Sequence, residues 1–213
     1  MQLTTATTIA NDLMLQLSSA CVRIEIAGSI RRGKPDVGDI ELVAIPDRGT
    51  YEVKDLFDQV VERHHVNHLE DAIDSLLAGG AWAFDTDVKR NGPKYKRLRH
   101  VATGLCCDLF ITDQRRWGYT FTVRTGPGDF SKALVSQALI RRMFFKDGLL
   151  HNHPPVYEDR NGQREVKPCE SGERCLRIMP TLEEADVFAA LGLAYIEPRD
   201  RTLSAIMRPL PAR

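Results

Sequence analysis

A glycine-rich stretch decides the predicted fold: it reads GSIRRG at residues 28–33 and is followed by GDIE at residues 38–41. It connects two short segments rich in Val and Ile, Val22 to Ala27 and Asp39 to Ile45, whose composition predicts β-strands. Alternate residues of a strand lie on the same face, so Asp39 and Glu41 are expected to place their carboxylates side by side.

Two carboxylates this close repel each other unless a cation lies between them. Their hard oxygen atoms suit Mg²⁺, which commonly takes a few carboxylates together with substrate phosphates. Upstream, Gly28 and Ser29 can offer backbone N–H groups and a hydroxyl to a phosphate, and Arg32 can pair with phosphate oxygens. Two acidic residues on one strand are, taken alone, more often a solvent-exposed sheet face than a metal site. Their occurrence together with this glycine-rich turn is much less common by chance.

A third carboxylate, Asp108, lies within an apolar segment that is predicted to be a strand, Cys106 to Thr112. A charge in such a setting is costly unless it is paired or bound to a metal. If this strand lies beside the first, three carboxylates converge as in a two-metal phosphoryl-transfer site.

Hydrophobic periodicity and capping signals predict the remaining elements. The predicted helices are Thr5–Ala20, Glu52–His65, Asn67–Leu77, Asp129–Lys146 and a short one from the Thr181–Glu184 capping box to Gly192, and Tyr119–Val123 is predicted as a strand. The fold class expected is α+β, with a mixed sheet flanked by helices in residues 1–125 and a small α/β domain in residues 126–213.

The chain has 213 residues with 29 basic and 29 acidic side chains, and 43% of its residues are hydrophobic. This is enough for a core without disulfide or metal staples. No apolar run is long enough to span a bilayer and no secretion signal is visible, so we expect an intracellular protein. Its five cysteines are irregularly spaced, which fits a reducing compartment.

The neutral charge total hides a strong segregation along the chain. Acids gather between Asp47 and Asp74, and bases gather in 89–99 and in 115–146. Net charge alone argues against nucleic-acid binding. The basic stretch before His100, which includes Lys94, Lys96 and Arg97, is compatible both with a loop that contacts DNA phosphates and with a solvated hairpin.

A second group of chemically distinctive residues lies near the C-terminal part of the chain: His151, His153, Cys169 and Cys175. These four could ligate zinc, but their spacing matches no common zinc finger. Unpaired residues on a hairpin-rich domain are the favoured interpretation.

The glycine-rich turn and the GDIE sequence resemble the palm signature of the DNA polymerase X family, the polymerase-beta-like nucleotidyltransferases. Further segments resemble the family in the same order along the chain. They are Cys107–Ile111, Thr125-Gly126 with Phe130-Ser131-Lys132, and a C-terminal group comprising Asp186, Phe188, Leu191-Gly192 and Tyr195 to Pro198. The resemblance covers residues 22–201.

The resemblance implies a site for two Mg²⁺ ions, or Mn²⁺, held by Asp39, Glu41 and Asp108, with Asp108 near the primer hydroxyl. It implies that the nucleotide phosphates contact a set of residues at the glycine-rich turn: Gly28, Ser29, Arg32 and Gly38. At the expected domain boundary, Thr125 and Gly126 would lie beneath the sugar, and Lys132 of the C-terminal domain would approach the template base.

Three departures from the family pattern affect these expectations. Glu41 stands where an Asp is usual, which bears on rate and metal preference. Val123-Arg124 stands where family members carry aromatic residues that help to exclude ribonucleotides, and Cys106 replaces an arginine that orients the third carboxylate. A lyase domain and a helix-hairpin-helix segment are not found, so a minimal palm-plus-thumb form, similar to small viral members, is expected.

The function expected is therefore that of a monomeric DNA-directed DNA polymerase that adds dNTPs to a primer and fills short gaps in DNA repair. Two alternatives remain open. One is a nucleotidyltransferase of the same fold that acts on RNA, protein or a small molecule, and the other is a non-catalytic nucleic-acid-binding module. Without excess positive charge, DNA binding is expected to be weak and strongly salt-sensitive.

Overall fold

The computed structural model of the chain describes residues 1–86, 91–160, 163–167 and 169–207. Two of the basic residues in the stretch before His100, Lys89 and Arg90, lie outside the described residues. The described chain divides into two compact units, Met1–Asp113 and Gln114–Arg213. Each unit is built around its own hydrophobic core.

The first unit is a mixed sheet with helices. Its elements are α1 (Leu3–Ser18), β1 (Cys21–Ile26), α2 (Gly28–Arg31), β2 (Ile40–Pro46), β3 (Arg48–Lys54), β4 (Val60–Asn67), α3 (His68–Ala78), β5 (Trp82–Phe84), β6 (Asn91–Gly92), β7 (Tyr95–His100) and β8 (Cys106–Ile111). The main sheet has the order β1-β2-β8-β7-β5, with β6 paired to β7. Strands β2 and β8 are parallel and the other pairs are antiparallel, so the predicted α+β class with a mixed sheet is confirmed.

The core of this unit lies between the sheet and helices α1 and α3. Helix α1 buries Ala6, Ala10, Leu13 and Leu17, which recur every three or four residues and so form one face. Almost every residue of β2 is buried, as expected of a strand in the middle of a sheet. The predicted strands at both ends of the glycine-rich turn, the helix over 67–77 and the strand that carries Asp108 are all present.

The helix predicted over Glu52–His65 is wrong, because this segment forms the antiparallel hairpin of β3 and β4. The Asp55 carboxylate accepts hydrogen bonds from the backbone N–H groups of Phe57 and Gln59, at 2.8 and 3.0 Å, and closes the turn. The apolar residues that suggested a helical stripe are not in a core: Leu56 is 100% exposed and Phe57 is 83% exposed.

In the described residues, the second unit contains four α-helices and a three-stranded sheet. Its elements are α4 (Trp117–Thr125), α5 (Gly128–Ile140), β9 (Phe144–Lys146), β10 (Leu149–His151), β11 (Tyr157–Arg160), β12 (Gln163–Val166), β13 (Ile178–Met179), α6 (Glu184–Ala190) and α7 (Leu203–Ile206). The sheet order is β13-β10-β9, and β11 and β12 form a separate hairpin. The core includes Phe130, Leu134, Val187 and Phe188.

One predicted element in this unit is wrong, and another ends earlier than predicted. Tyr119–Val123 is part of helix α4, which buries Trp117, Phe121 and Thr125 at helical spacing. Helix α5 ends at Ile140, because Arg142 has a left-handed φ of 60°, and the following residues form β9.

The C-terminal capping box is present, but it is displaced from its predicted position. Helix α6 begins at Glu184, and the reciprocal bonds of the box are made by Glu183 and Asp186. Thr181 instead accepts a hydrogen bond at its carbonyl oxygen from the N–H of Gly118 in α4, at 3.0 Å. Because α4 packs on α6, the division between the units precedes α4 at Asp113, earlier in the chain than the expected boundary at residue 125.

None of the helices in the described residues is both long enough and apolar enough to cross a membrane.

Candidate active site

The three predicted carboxylates converge at one end of two neighbouring strands. Glu41 in β2 and Asp108 in β8 are direct partners across the parallel strand pair, so their side chains share a face of the sheet. Asp39 lies two residues before Glu41 and immediately ahead of β2. The condition stated from the sequence, that the strand of Asp108 must lie beside the first, is met.

The negative charge of this cluster affects the pKa of Asp39. Burial raises the pKa of Asp39 above its ordinary value, and the charge of Asp108 raises it further, while Arg97 and Arg32 act in the opposite direction. A carboxyl group whose ionised form is disfavoured in this way gains from a nearby cation.

Asp108 is fixed by two side chains from the neighbouring strand β7. The Tyr95 hydroxyl and the Arg97 guanidinium each donate to its Oδ1 atom, both at 2.6 Å. Arg97 is the direct partner of Asp108 across the β7–β8 pair, and Tyr95 lies two residues away on the same face. Because both bonds use Oδ1, the carboxylate is oriented and its Oδ2 atom takes no hydrogen bond from the described residues.

Arg97 also binds a second, deeper carboxylate. Its Nε donates to Asp85 at 2.9 Å, and Arg99 donates to the other oxygen of Asp85 at 2.5 Å. Asp85 is only 4% exposed, so it forms a rigid support behind Arg97. The guanidinium thus bridges two acids, and it provides in this chain the contact with Asp108 that was expected to be lost with Cys106.

Glu41 is held close to the glycine-rich turn. Gly28 has a φ of +62°, and a Cβ atom built on it would lie 2.1 Å from Glu41 Oε2. The Ala27 N–H also donates to the Glu41 carbonyl oxygen at 2.8 Å. Glycine is therefore required at position 28 both for its backbone conformation and for the space that the longer Glu41 side chain occupies.

Ser29, the next residue of the turn, carries an orphaned polar atom. Its Oγ is buried and has no hydrogen-bond partner among the described residues. A buried hydroxyl without a partner is uncommon and marks a position where a ligand oxygen fits. Arg32 lies close enough to Asp39 to affect its pKa, and Gly38 is exposed directly before Asp39.

The structure gives two of the predicted DNA-binding residues partners within the chain. Lys96 has a side chain only 8% exposed and forms an ion pair with Glu70 of α3 at 2.8 Å. Arg97 forms the bridge described above. Both lie in strand β7, where alternate residues face opposite sides of the sheet, and each balances acids of the same unit. Lys94, in the turn before β7, is exposed.

The remaining predicted residues belong to the second unit. Thr125 is the last residue of α4 and is buried. The next residue, Gly126, is packed against Phe130, because a Cβ atom at position 126 would lie 2.4 Å from the Phe130 ring. The Ser131 hydroxyl donates to the Val123 carbonyl oxygen at 2.8 Å and fixes this turn. Lys132 is exposed on α5.

Three residues of this site were not predicted in their observed roles: Tyr95, Arg97 and Asp85. The sequence carries a weak signal for the first two, because they alternate along one strand as Asp39 and Glu41 do along another. Their contact with Asp108 depends on the β7–β8 register, which is not local in sequence. Asp85 follows the short strand β5 and carries no motif of its own.

The donor set is appropriate for a hard divalent cation. It consists of carboxylate oxygens on one face of the sheet, and the thiol next to Asp108 in sequence, Cys107, is fully buried. The cluster of Asp39, Glu41 and Asp108 could therefore hold Mg²⁺ or Mn²⁺. A comparison of the chain with models of known protein families finds no match.

Proposed function

We propose that this chain is a nucleotidyltransferase of the DNA polymerase X type that adds dNTPs to a primer 3′-hydroxyl. The observation that carries the proposal is the direct pairing of Glu41 with Asp108 across parallel strands, with Asp39 beside them. Three carboxylates so arranged are what two-metal phosphoryl transfer requires. The orphaned Ser29 hydroxyl next to them gives a place for a phosphate oxygen.

In this proposal, Asp39, Glu41 and Asp108 hold the metal ions, and Ser29 and Arg32 bind the nucleotide phosphates. Two Mg²⁺ ions, when bound, would neutralise the triphosphate charge and favour ionisation of the attacking hydroxyl. Tyr95 and Arg97 fix the orientation of Asp108, so that one of its oxygens remains directed at the reaction centre. Such catalysis relies on positioning and charge balance rather than on covalent chemistry of the protein.

Residues of the second unit complete the proposal. The Thr125-Gly126 turn would contact the sugar and Lys132 the template base, in keeping with the resemblance. Filling of short gaps during DNA repair is the activity proposed, because it makes little demand on a surface with no net positive charge.

A second candidate acceptor follows from strand β7. Lys96 and Arg97 are engaged with Glu70, Asp85 and Asp108, so fewer cations than expected are available for a DNA backbone. Within the alternative of a non-DNA acceptor, this favours transfer of a nucleotide to a protein or a small molecule by the same carboxylates over transfer to RNA, whose backbone carries the same charge as DNA.

Primer extension on gapped and on single-stranded DNA tests the proposal, with each dNTP supplied alone and with Mg²⁺ compared with Mn²⁺. We expect templated incorporation that Asp39→Asn abolishes and that Asp36→Asn, the same chemical change at an exposed position three residues earlier, leaves intact. Failure to extend any DNA primer would refute the polymerase assignment. Transfer of labelled nucleotide to another acceptor, lost in Asp39→Asn, would then support the alternative.

A further inference from the structure

A second cluster of potential metal ligands lies in the second unit. The ligand atoms of His151, His153, Cys169 and Cys175 are all within 4.8 Å of one another. In a tetrahedral zinc site, the bond lengths to sulfur and nitrogen place neighbouring ligand atoms roughly 3.3–3.8 Å apart. The four side chains therefore need only shift by about 1 Å to enclose an ion.

The two histidines are held in orientations that suit metal binding. The His153 Nδ1 atom lies 3.1 Å from the Pro154 carbonyl oxygen, and since a carbonyl only accepts, Nδ1 carries the proton and the Nε2 lone pair is available. The His151 Nδ1 atom is buried and has no hydrogen-bond partner in the described part of the chain. The Phe144 ring stacks on His151 at 4.8 Å and meets His153 edge-on at 5.1 Å.

The two cysteines complete a ligand set typical of zinc. Both have free thiols and both line an open surface groove together with His153, which gives an ion a route of entry. Two thiolates and two imidazoles are a closed set of soft and borderline ligands that favours Zn²⁺ over the hard Mg²⁺. The two thiolate charges balance the ion.

The segment over residues 152–180, which carries these cysteines, has no apolar core of its own. From residue 152 to residue 180, no apolar side chain among the described residues is buried, and Leu176 is fully exposed. Among the described residues, this segment is joined to the rest of the unit by two strand pairs, Leu150 with Met179 and His151 with Ile178, and by Glu173, which Arg115 and Arg116 contact. Small segments without a core are commonly stabilised by a metal or a disulfide.

We propose that His151, His153, Cys169 and Cys175 form a structural zinc site that fastens the excursion over residues 152–180 to strand β10. His151 lies at the end of β10, and the other three ligands lie in the excursion, so one ion joins the two. On binding, each thiol gives up its proton and forms a bond from sulfur to zinc. With four protein ligands, the ion has no open position and is structural rather than catalytic.

Cobalt substitution tests the site in the reduced full-length chain. Co²⁺ bound by thiolates gives a sulfur-to-metal charge-transfer absorption that a carboxylate site does not give, and excess Mg²⁺ keeps the carboxylates occupied. We expect a titration that saturates at about one Co²⁺ per chain, as a single four-ligand site requires, with displacement by Zn²⁺. Absence of the charge-transfer absorption in the wild-type chain would overturn the proposal, whatever the outcome of the polymerase assay.

Matched cysteine variants locate the ligands. Cys175→Ser should lose most of the charge-transfer absorption, and Cys21→Ser, in a strand of the other unit, should retain it. Zinc removal from the wild-type chain should speed hydrogen exchange in residues 152–180 and leave the first unit unchanged. An absorption equal in the two variants, or a Cys169–Cys175 disulfide recovered from reduced protein that takes up no zinc, would contradict the assignment.

Discussion

Replacement of Gly28 by alanine separates the geometry of the carboxylate cluster from the stability of the fold. Gly28 and Gly33 both have a left-handed backbone, with φ of +62° and +69°. An alanine at either position costs about 1–2 kcal/mol in backbone strain. Only at position 28 does the added Cβ meet another group, the Glu41 carboxylate at 2.1 Å, whereas position 33 has no atom within 4 Å.

The overlap at position 28 converts into a displacement of Glu41. Ordinary contact begins at 3.4 Å, so the carboxylate oxygen must retreat by at least 1 Å. Glu41 can move its carboxylate by rotating its side chain, but its Cβ, 3.0 Å from the added atom, stays in place, so the unfolding free energy should fall somewhat further for Gly28→Ala than for Gly33→Ala. A 1 Å misplacement of a catalytic group can cost about 100-fold in rate. Gly28→Ala should therefore lose about 100-fold more activity than Gly33→Ala.

The assay pairs urea unfolding with single-turnover nucleotide incorporation at saturating Mg²⁺. A further readout, independent of turnover, is the rise in Tm that Mg²⁺ or Mn²⁺ produces by binding the folded chain. Equal activity and equal metal-induced stabilisation in the two alanine variants would refute the assignment of Gly28 as the residue that makes room for Glu41.

A double-mutant cycle sharpens this test. Glu41→Asp withdraws the carboxylate by one carbon–carbon bond, about 1.5 Å, which relieves the overlap with an alanine at position 28. The effects of the two substitutions on incorporation activity should then be non-additive. The double variant should be more active than the sum of the single effects predicts, with a coupling free energy of about 1 kcal/mol or more. Additive effects would show that the side chains at positions 28 and 41 do not meet.

Further predictions concern the support of the site and the second unit. Arg97→Gln should lower the unfolding free energy by about 2–3 kcal/mol in urea unfolding, less than the loss of an isolated buried pair because one of its two carboxylate partners keeps another arginine. The same change at the exposed Arg63 should cost at most about 1 kcal/mol, and equal costs would contradict the bridge. Burial raises the pKa of Asp39, so its ionised form destabilises the folded state as pH rises. Asp39→Asn, measured without Mg²⁺ by urea unfolding, should therefore be more stable than the wild-type chain at neutral pH, with no gain at a pH below the unfolded-state pKa. Gly118→Ala places a Cβ 2.3 Å from a backbone oxygen and should destabilise the second unit by about 3 kcal/mol in thermal unfolding, whereas Gly128→Ala, with open space around it, should be nearly neutral.

The strands around the carboxylates could be predicted from the sequence because their signals are local. The composition of β1, β2 and β8 and the glycines between the first two are sufficient to locate them. The hairpin of β3 and β4 could not be predicted in the same way, because its exposed apolar residues mimic the stripe of an amphipathic helix. The turn is closed by the Asp55 carboxylate, which accepts hydrogen bonds from backbone N–H groups of the turn, and no periodicity reveals this.

The sequence predicts only those contacts of the candidate site that are made within one strand. The period of two in a strand is enough to bring Asp39 and Glu41 together. Asp108 joins them through the β2–β8 register, and Arg97 reaches Asp108 through the β7–β8 register. Both registers are features of the tertiary structure and are not encoded locally in the sequence. The His and Cys cluster was likewise disfavoured on sequence spacing, since its ligands converge through the folding of an irregular excursion.

The basic character of strand β7 has a cause within the unit itself. Its three described cations on the two faces, Lys96, Arg97 and Arg99, are matched by three acids from other elements: Glu70, Asp108 and Asp85. A charge run of this kind arises because buried and half-buried acids need counter-charges, and so it is weak evidence for a phosphate-binding surface. Each phosphate contact that is absent lowers the slope of log affinity against log salt by about 0.9 for duplex DNA. If DNA phosphates are bound through Lys94 without help from β7, the salt dependence should be shallower than the basic stretches of the sequence suggest, and a slope near −1 would correspond to that one contact.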